Sequence, residues 1–331
     1  MRGFRHTVTL AGGLVGSGLM SGCTGQQSAL IPRGEDAAVQ STLFFVMLVG
    51  AVVLWLMLNG LFFYLTRVRP GAVPQRLANG MIIIGGLVVP AVLIGALLAW
   101  GLSILPDQQR SGDGLTIRVT GEQWWWRVEY WPEGAEAPIV SANEIRMPVG
   151  ERVEFALGAK RVIHSFWIPA LGGKMDMFPG RDTRVSLKAT EPGVYRGQCA
   201  EFCGASHAWM AFAAEAMPPA DFAAWLDHEA SAAVAPSTPD AVAGAEIFAR
   251  EGCGACHTVR GTDHIGQVGP DLTHVGARHT LGAGRLGATL EDFAAWISHT
   301  DELKPEVEMP AYGHLPEEEH RLLAAYLKGL Q

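Results

Sequence analysis

Between residues 199 and 210 the chain reads Cys199-Ala-Glu201-Phe-Cys203-Gly-Ala-Ser-His207-Ala-Trp-Met210, and another imidazole, His164, stands 35 positions before Cys199. Two thiolates, two imidazoles and a thioether form a soft ligand set, suited to copper rather than to magnesium or calcium. A zinc ribbon would need a second cysteine pair, and none is available to it. The plain alternative for two cysteines in an exported domain is a disulfide. A Cys199–Cys203 bridge would close a very small loop and leave the histidine and methionine spacing unexplained. Taken singly, Met210 would be core filling and His164 an ordinary satisfied histidine. The joint pattern is what points to copper.

A second constellation lies further on, Cys253-Gly-Ala-Cys256-His257. In a C-x-x-C-H run the two thiols add to the vinyl groups of a haem and the adjacent imidazole ligates its iron. A redox dithiol or a chance occurrence is the weaker reading, because the histidine follows immediately. The second iron ligand is expected downstream, and Met309, in Glu308-Met309-Pro310, is the only methionine in residues 236–331. Six other histidines follow His257, which leaves bis-histidine ligation open; a Met/His pair would raise the potential and suit electron transfer.

The five cysteines then divide without remainder. Cys23 follows Arg2, Arg5 and the apolar run Leu10 to Met20, an export signal of lipoprotein type in which the cysteine thiol is acylated. An ordinary signal peptide or an uncleaved anchor is the alternative there. Cys199 and Cys203 serve copper, Cys253 and Cys256 serve haem, and no structural disulfide remains.

The surrounding sequence must position these groups. Thr42 to Thr66 and Met81 to Ile104 carry no charge, and each is long enough to cross a hydrocarbon core of about 30 Å as a helix. Arg67, Arg69 and Arg76 lie between them with no acid, so that loop is expected in the cytoplasm and both flanking parts outside. From residue 115 short alternating runs follow, Leu115–Thr120, Gln123–Trp131, Arg152–Leu157, Val162–Ile168, Thr183–Lys188 and Val194–Gln198, which argue a β-sandwich or barrel. Residues 229–241 are small and proline-containing, as in a linker. Formal charge is +4 over residues 1–104, −5 over 105–235 and −7 over 236–331, summing to −8 in 331 residues. No soluble block has the basic excess that phosphate contacts require, which excludes a nucleic-acid partner.

Across residues 40–228 the sequence resembles subunit II of haem-copper cytochrome c oxidases. The resemblance is carried by the two apolar spans, the run Gly121-Glu-Gln123-Trp124-Trp125-Trp126, Ile163-His164-Ser-Phe-Trp-Ile-Pro169, Pro179-Gly180-Arg181 and the 199–210 motif. It implies a cupredoxin-like domain holding the binuclear copper centre CuA. Cys199 and Cys203 would bridge the metals, His164 and His207 cap one each, Met210 ligate one, and the Glu201 carbonyl the other. It further implies a magnesium ion on the Glu201 side chain at the boundary with subunit I, with Asp176 near the same boundary. Trp124 would admit electrons from the donor; Trp125 stands where the family usually has tyrosine. In a strand Trp124 and Trp126 share one side and Trp125 takes the other. Aligned on Pro90, the second span has apolar residues where many relatives carry a glutamate at the mouth of a proton channel. Proton uptake through this subunit is therefore not expected.

After residue 241 the chain resembles a class I cytochrome c, with Gly269-Pro270-Asp271-Leu272 similar to the loop packed on the histidine side of the haem. The expected order is a signal peptide (1–23), an external segment (24–40), a transmembrane helix hairpin (41–105), a cupredoxin-like β-sandwich (106–228), a linker (229–241) and a small all-α cytochrome c domain (242–331). That order resembles the caa type of subunit II. It implies an electron-transfer subunit in the bacterial inner membrane whose copper and haem domains face the periplasm. Its partners would be subunit I and the other oxidase subunits, membrane lipid, and an external donor such as a cytochrome c or the quinol–cytochrome c reductase. Subunit I would reduce oxygen to water, coupled to proton translocation. Two rival readings are an electron-transfer protein serving a nitric oxide reductase and a non-redox copper carrier or sensor.

Overall fold

The computed structural model describes residues 25–108 and 110–331. Cys23 and the signal segment lie outside them. Two compact units are present, one formed by Ala38–Arg110 and the other by the described residues up to Ala37 together with Ser111–Gln331.

The first unit consists of apolar helices. Helix α1 runs over Glu35–Val68 and α2 over Gln75–Leu105, and the most apolar stretch of each is fully uncovered by protein. Side chains such as Phe62, Ile82 and Ile94 are about two-thirds exposed. Only a hydrocarbon environment makes such surface favourable, which is the behaviour of membrane spans. Both helices begin before the uncharged runs do. In α1 the first turn holds Glu35 and Asp36, where acidic side chains favour the partial positive charge of a helix start.

The second unit opens with ten strands: β1 (Thr116–Glu122), β2 (Trp125–Trp131), β3 (Ile139–Ala142), β4 (Glu144–Pro148), β5 (Arg152–Ala159), β6 (His164–Trp167), β7 (Met175–Met177), β8 (Thr183–Lys188), β9 (Gly193–Cys199) and β10 (Ala211–Met217). They form two five-stranded sheets, ordered β3-β2-β1-β5-β8 and β4-β10-β9-β6-β7. This is the expected sandwich. Pairing is antiparallel except for β1 with β5 and β10 with β4. Strand β2 alternates cleanly, with Trp126, Val128 and Tyr130 fully buried. In the core Phe166 and Phe212 stack with centroids 5.1 Å apart, and Trp126 meets both rings edge-on. Strands β3, β4, β7 and β10 were not among the expected runs. Strand β10, Ala-Phe-Ala-Ala-Glu-Ala-Met, has a helix-forming composition, and it is a strand because it pairs with β9 on one side and β4 on the other.

Helix α3 (Pro219–Glu229) follows the sandwich, and after a stretch without regular structure come α4 (Pro239–Arg250), α5 (Leu290–Ser298), α6 (Thr300–Leu303) and α7 (Glu317–Gly329). Thr238 caps α4, and Thr289 with Asp292 forms a reciprocal capping box on α5. The amphipathic faces of α4, α5 and α7 close on Phe248, Ile297, Leu323 and Leu327, a small helical core separate from that of the sandwich.

Candidate functional site

The copper-type residues come together at one end of the second sheet. His164 opens β6, Cys199 closes β9, and the loop that returns to β10 carries Cys203, His207 and Met210. Phe166 on β6 is paired with Cys199, which fixes His164 beside that thiol. The two sulfurs are 3.8 Å apart. His164 Nδ1 lies 3.8 Å from Cys199 Sγ, and His207 Nδ1 3.5 Å from Cys203 Sγ. Met210 Sδ is 3.9 Å from Cys203 Sγ, and the Glu201 carbonyl is 3.2 Å from Cys199 Sγ. The cysteines are free thiols, and all ligand atoms of His164, Cys199 and Cys203 lie within 4.8 Å of one another.

The donor set fits a soft metal. The Cys199 thiolate is favoured by hydrogen bonding from the Cys203 thiol, which outweighs burial and is aided by His164 and the backbone. Cys203 is pushed strongly upward by that same hydrogen bond, then by burial and the Cys199 charge. Two thiolates side by side in a buried pocket require a cation between them. His164 Nε2 is buried without a hydrogen-bond partner, so beside the Nδ1 contact with Cys199 Sγ it is sheet packing that holds the ring. That packing rests on Gly121 of β1: a Cβ there would lie 2.8 Å from His164 Cδ2 and 2.9 Å from Cγ. Gly121→Ala is expected to tilt the imidazole and weaken copper binding about 10- to 100-fold, the usual effect of disturbing a ligand's support. Competition with a copper chelator measures this; unchanged affinity would mean the ring is held otherwise.

Trp124 is 3% exposed, and its indole N–H donates to the Cys203 carbonyl at 3.0 Å. The strand expected from Gln123 begins only at Trp125, so Trp124 lies in the turn between β1 and β2; within β2, Trp126 is in the core and Trp125 half-buried under the Arg127 guanidinium at 4.7 Å. Asp176 accepts from Ser165 and from Lys174, each at 2.8 Å, and the Lys174 hydrogen bond is the main cause holding its carboxyl below the usual range. The Glu201 side chain is exposed.

Cys253, Cys256, His257 and Met309 line one cavity in the helical part. The His257 Nδ1–H donates to the Pro270 carbonyl at 2.8 Å, leaving Nε2 with its lone pair, and burial holds the ring below its usual pKa, hence neutral. The ring lies against Gly269, where a Cβ would come within 2.5 Å of Cε1. Of the described histidines only His257 lines the cavity, so a histidine-and-methionine pair is the arrangement offered there. Thr280 Oγ1, buried without a partner, borders the same space, as do Arg278 and Trp296. An apolar cavity edged by one unpartnered hydroxyl, that of Thr280, and presenting both thiols fits a covalently held haem. Trp124 and Trp125 line the cavity too, so the copper-type set and the haem-type set approach one another across these indoles.

Two family matches follow this division. Residues 132–217 match the cytochrome c oxidase subunit II periplasmic domain and residues 241–331 match cytochrome c. A curated relative, cytochrome c oxidase subunit 2 of Alkalihalophilus pseudofirmus, is 35% identical over 94% of this chain and 94% of its own. The chain belongs to the cytochrome c oxidase subunit 2 family. The subunit 2 of Bacillus subtilis is 31% identical over 95% of this chain and 94% of its own. The chain is therefore an electron-transfer subunit of the haem-copper oxidase type with a cytochrome c domain, and its two domain families are those of copper and of haem c. Two apolar helices long enough to cross a membrane complete the family pattern.

One residue at the centre of this arrangement carried no sequence signal. Lys304, in Leu303-Lys304-Pro305, reads as an ordinary solvated lysine, yet it is 2% exposed and its ammonium donates to the Trp124 carbonyl at 2.6 Å. Burial lowers its pKa to about 7.

Proposed function

We propose that the chain takes single electrons from an external donor and delivers them towards subunit I of a respiratory terminal oxidase, where oxygen is reduced to water with proton translocation. When bound, a covalent haem and a binuclear copper centre each accept and release one electron with little change of geometry. Cys253 and Cys256 would anchor the haem, and His257 and Met309 would ligate its iron, the thioether favouring a raised potential. Cys199, Cys203, His164, His207, Met210 and the Glu201 carbonyl would hold the copper, the two thiolates supplying the shared soft donors. Trp124 serves as the conducting contact, since its indole bonds the Cys203 backbone while its ring borders the haem-type cavity. The exposed Glu201 carboxylate is available for a magnesium ion where subunit I would meet it.

The chain is read as a copper domain at 106–228, a linker at 229–241 and a haem domain at 242–331; α3 (Pro219–Glu229) closes the first of these, and α4 starts at Pro239, before the linker's expected end. Cys23 is read as the lipidated residue of an exported chain. With Arg67, Arg69 and Arg76 on the cytoplasmic side, the copper and haem domains face the periplasm of a bacterial inner membrane. The second span presents apolar residues around Pro90, so protons would be taken up elsewhere in the oxidase.

The observation that carries this reading is the placement of both donor sets on either side of one buried tryptophan. Its test is the electron-spin-resonance and optical spectrum of the full chain matured with haem and loaded with copper. One unpaired electron split over two equivalent copper nuclei, beside a low-spin histidine/methionine haem, is the expected result. A single-nucleus copper signal would overturn it.

A further inference from the structure

The contact between the cytochrome c domain and the copper-binding domain is organised around a buried cation. Lys304 Nζ donates to the Trp124 carbonyl of the sandwich at 2.6 Å and to the Gly282 carbonyl of its own domain at 2.7 Å. Trp124 in turn donates to the Cys203 carbonyl at 3.0 Å, so one hydrogen-bonded line runs from the helical domain to the copper-ligand loop. The same loop is gripped at both ends. Ser206, just before His207, donates to the Pro305 carbonyl at 2.6 Å, and the Ala211 amide, just after Met210, donates to the Ala283 carbonyl at 2.9 Å. The Arg285 guanidinium lies 4.3 Å over the Trp209 ring between them. Towards the rim Arg127 donates to the Gln267 carbonyl at 2.8 Å, and Arg161 pairs with Glu308.

We propose that Lys304 is the latch that sets the register of the cytochrome c domain on the copper-ligand loop and keeps Trp124 enclosed between the two domains. An ammonium is costly to take out of water unless its donors are met, and here two carbonyls, one from each domain, meet them. Separation would return Lys304 to solvent, whereas a shifted docking would leave the amine and both carbonyls unpaired. The buried charge therefore selects one register more than it adds affinity. The five lysines of the chain include four without such an arrangement; Lys160, for comparison, is 56% exposed at its side chain. Lys304, Trp124 and Gly282 also border the haem-type cavity, but the latch itself is made of hydrogen bonds between protein atoms, so it is tested apart from the relay proposed above.

Two measurements on the full chain in detergent test it. Pulsed acylation of amines with mass readout is expected to modify Lys304 at least about tenfold more slowly than Lys160, because only local opening exposes it. Equal rates would overturn the latch without any variant being needed. Hydrogen exchange then compares the native chain with Lys304→Met and Lys304→Arg. In Lys304→Met, peptides covering residues 204–212 and 281–285 are expected to exchange about tenfold faster, with β1, β5 and α7 unchanged, and Lys304→Arg is expected to restore most of the protection. Native-like protection in Lys304→Met, or equal loss in both variants, would overturn the role assigned to the ammonium. Failure of the copper spectrum with retained amine protection would sink the relay and leave the latch intact.

Discussion

A Cys199→Ser chain is expected to lose the shared-electron copper signal completely and to bind at most one copper, weakly, while its haem spectrum stays as in the native chain. Cys199 is the sulfur at which the site converges, with His164 Nδ1 and Cys203 Sγ each 3.8 Å away and the Glu201 carbonyl at 3.2 Å. Serine has nearly the same shape, so the fold of β9 and its pairing with β6 should survive. What disappears is a soft, easily ionised ligand, and a hydroxyl cannot take its place for copper. With one thiolate left, two cations cannot share electron density, and a single-nucleus spectrum or an empty site remains. Copper content by elemental analysis and spin-resonance hyperfine structure measure the outcome. Retention of two coppers with the electron still shared over both nuclei would remove the bridging role from Cys199. The haem serves as internal control, since Cys253 and Cys256 belong to a different core.

Arg152→Met is expected to destabilise the sandwich by about 3–5 kcal/mol, the range found when one partner of a buried ion pair is removed. Arg152 is 2% exposed; its guanidinium donates to Asp36 at 3.0 Å and to the carbonyl and hydroxyl of Ser186 at 3.2 Å. Asp36 is 8% exposed at its side chain, so the substitution strands a carboxylate in a place water does not reach. Denaturant unfolding followed by tryptophan emission measures the loss. Adding Asp36→Asn to Arg152→Met should recover much of it, because the stranded charge, rather than the absent arginine, is the larger cost. A loss below about 1 kcal/mol, with no recovery in the double variant, would show that the pair is hydrated in solution. By contrast Arg33–Glu191 and Arg321–Asp240 are exposed on both sides, where water and salt screen the attraction.

Most of the chemistry was legible in one dimension because metal and haem ligation demand particular side chains at short spacings. Cys199, Cys203, His207 and Met210 fall within the end of one strand and the loop after it, and Cys253, Cys256 and His257 within one turn, so their joint occurrence needed no fold to be recognised. The membrane spans were equally plain, since a hydrocarbon crossing requires a long uncharged run. Their ends were less so: α1 begins at Glu35, where local charge at a helix start matters more than hydrophobicity.

What the sequence left undecided depends on partners distant in the chain. Strand β10 has a helical composition and becomes extended only through pairing with β9 and β4. Bis-histidine ligation stayed open until the cavity was seen to have His257 alone of the described histidines on its wall. Gly121 gives no local hint that it lies under an imidazole 43 positions away. Lys304 is the extreme case, a charged residue whose type predicts exposure and whose two carbonyl acceptors lie 180 and 22 positions earlier. The sequence by itself determined the apolar spans and singled out the candidate donor residues, because each is dictated by residue type over a few positions. Only the tertiary structure decided which ring lies on which glycine and which cation enters the space beside Trp124, because burial and hydrogen bonding are properties of what folds together.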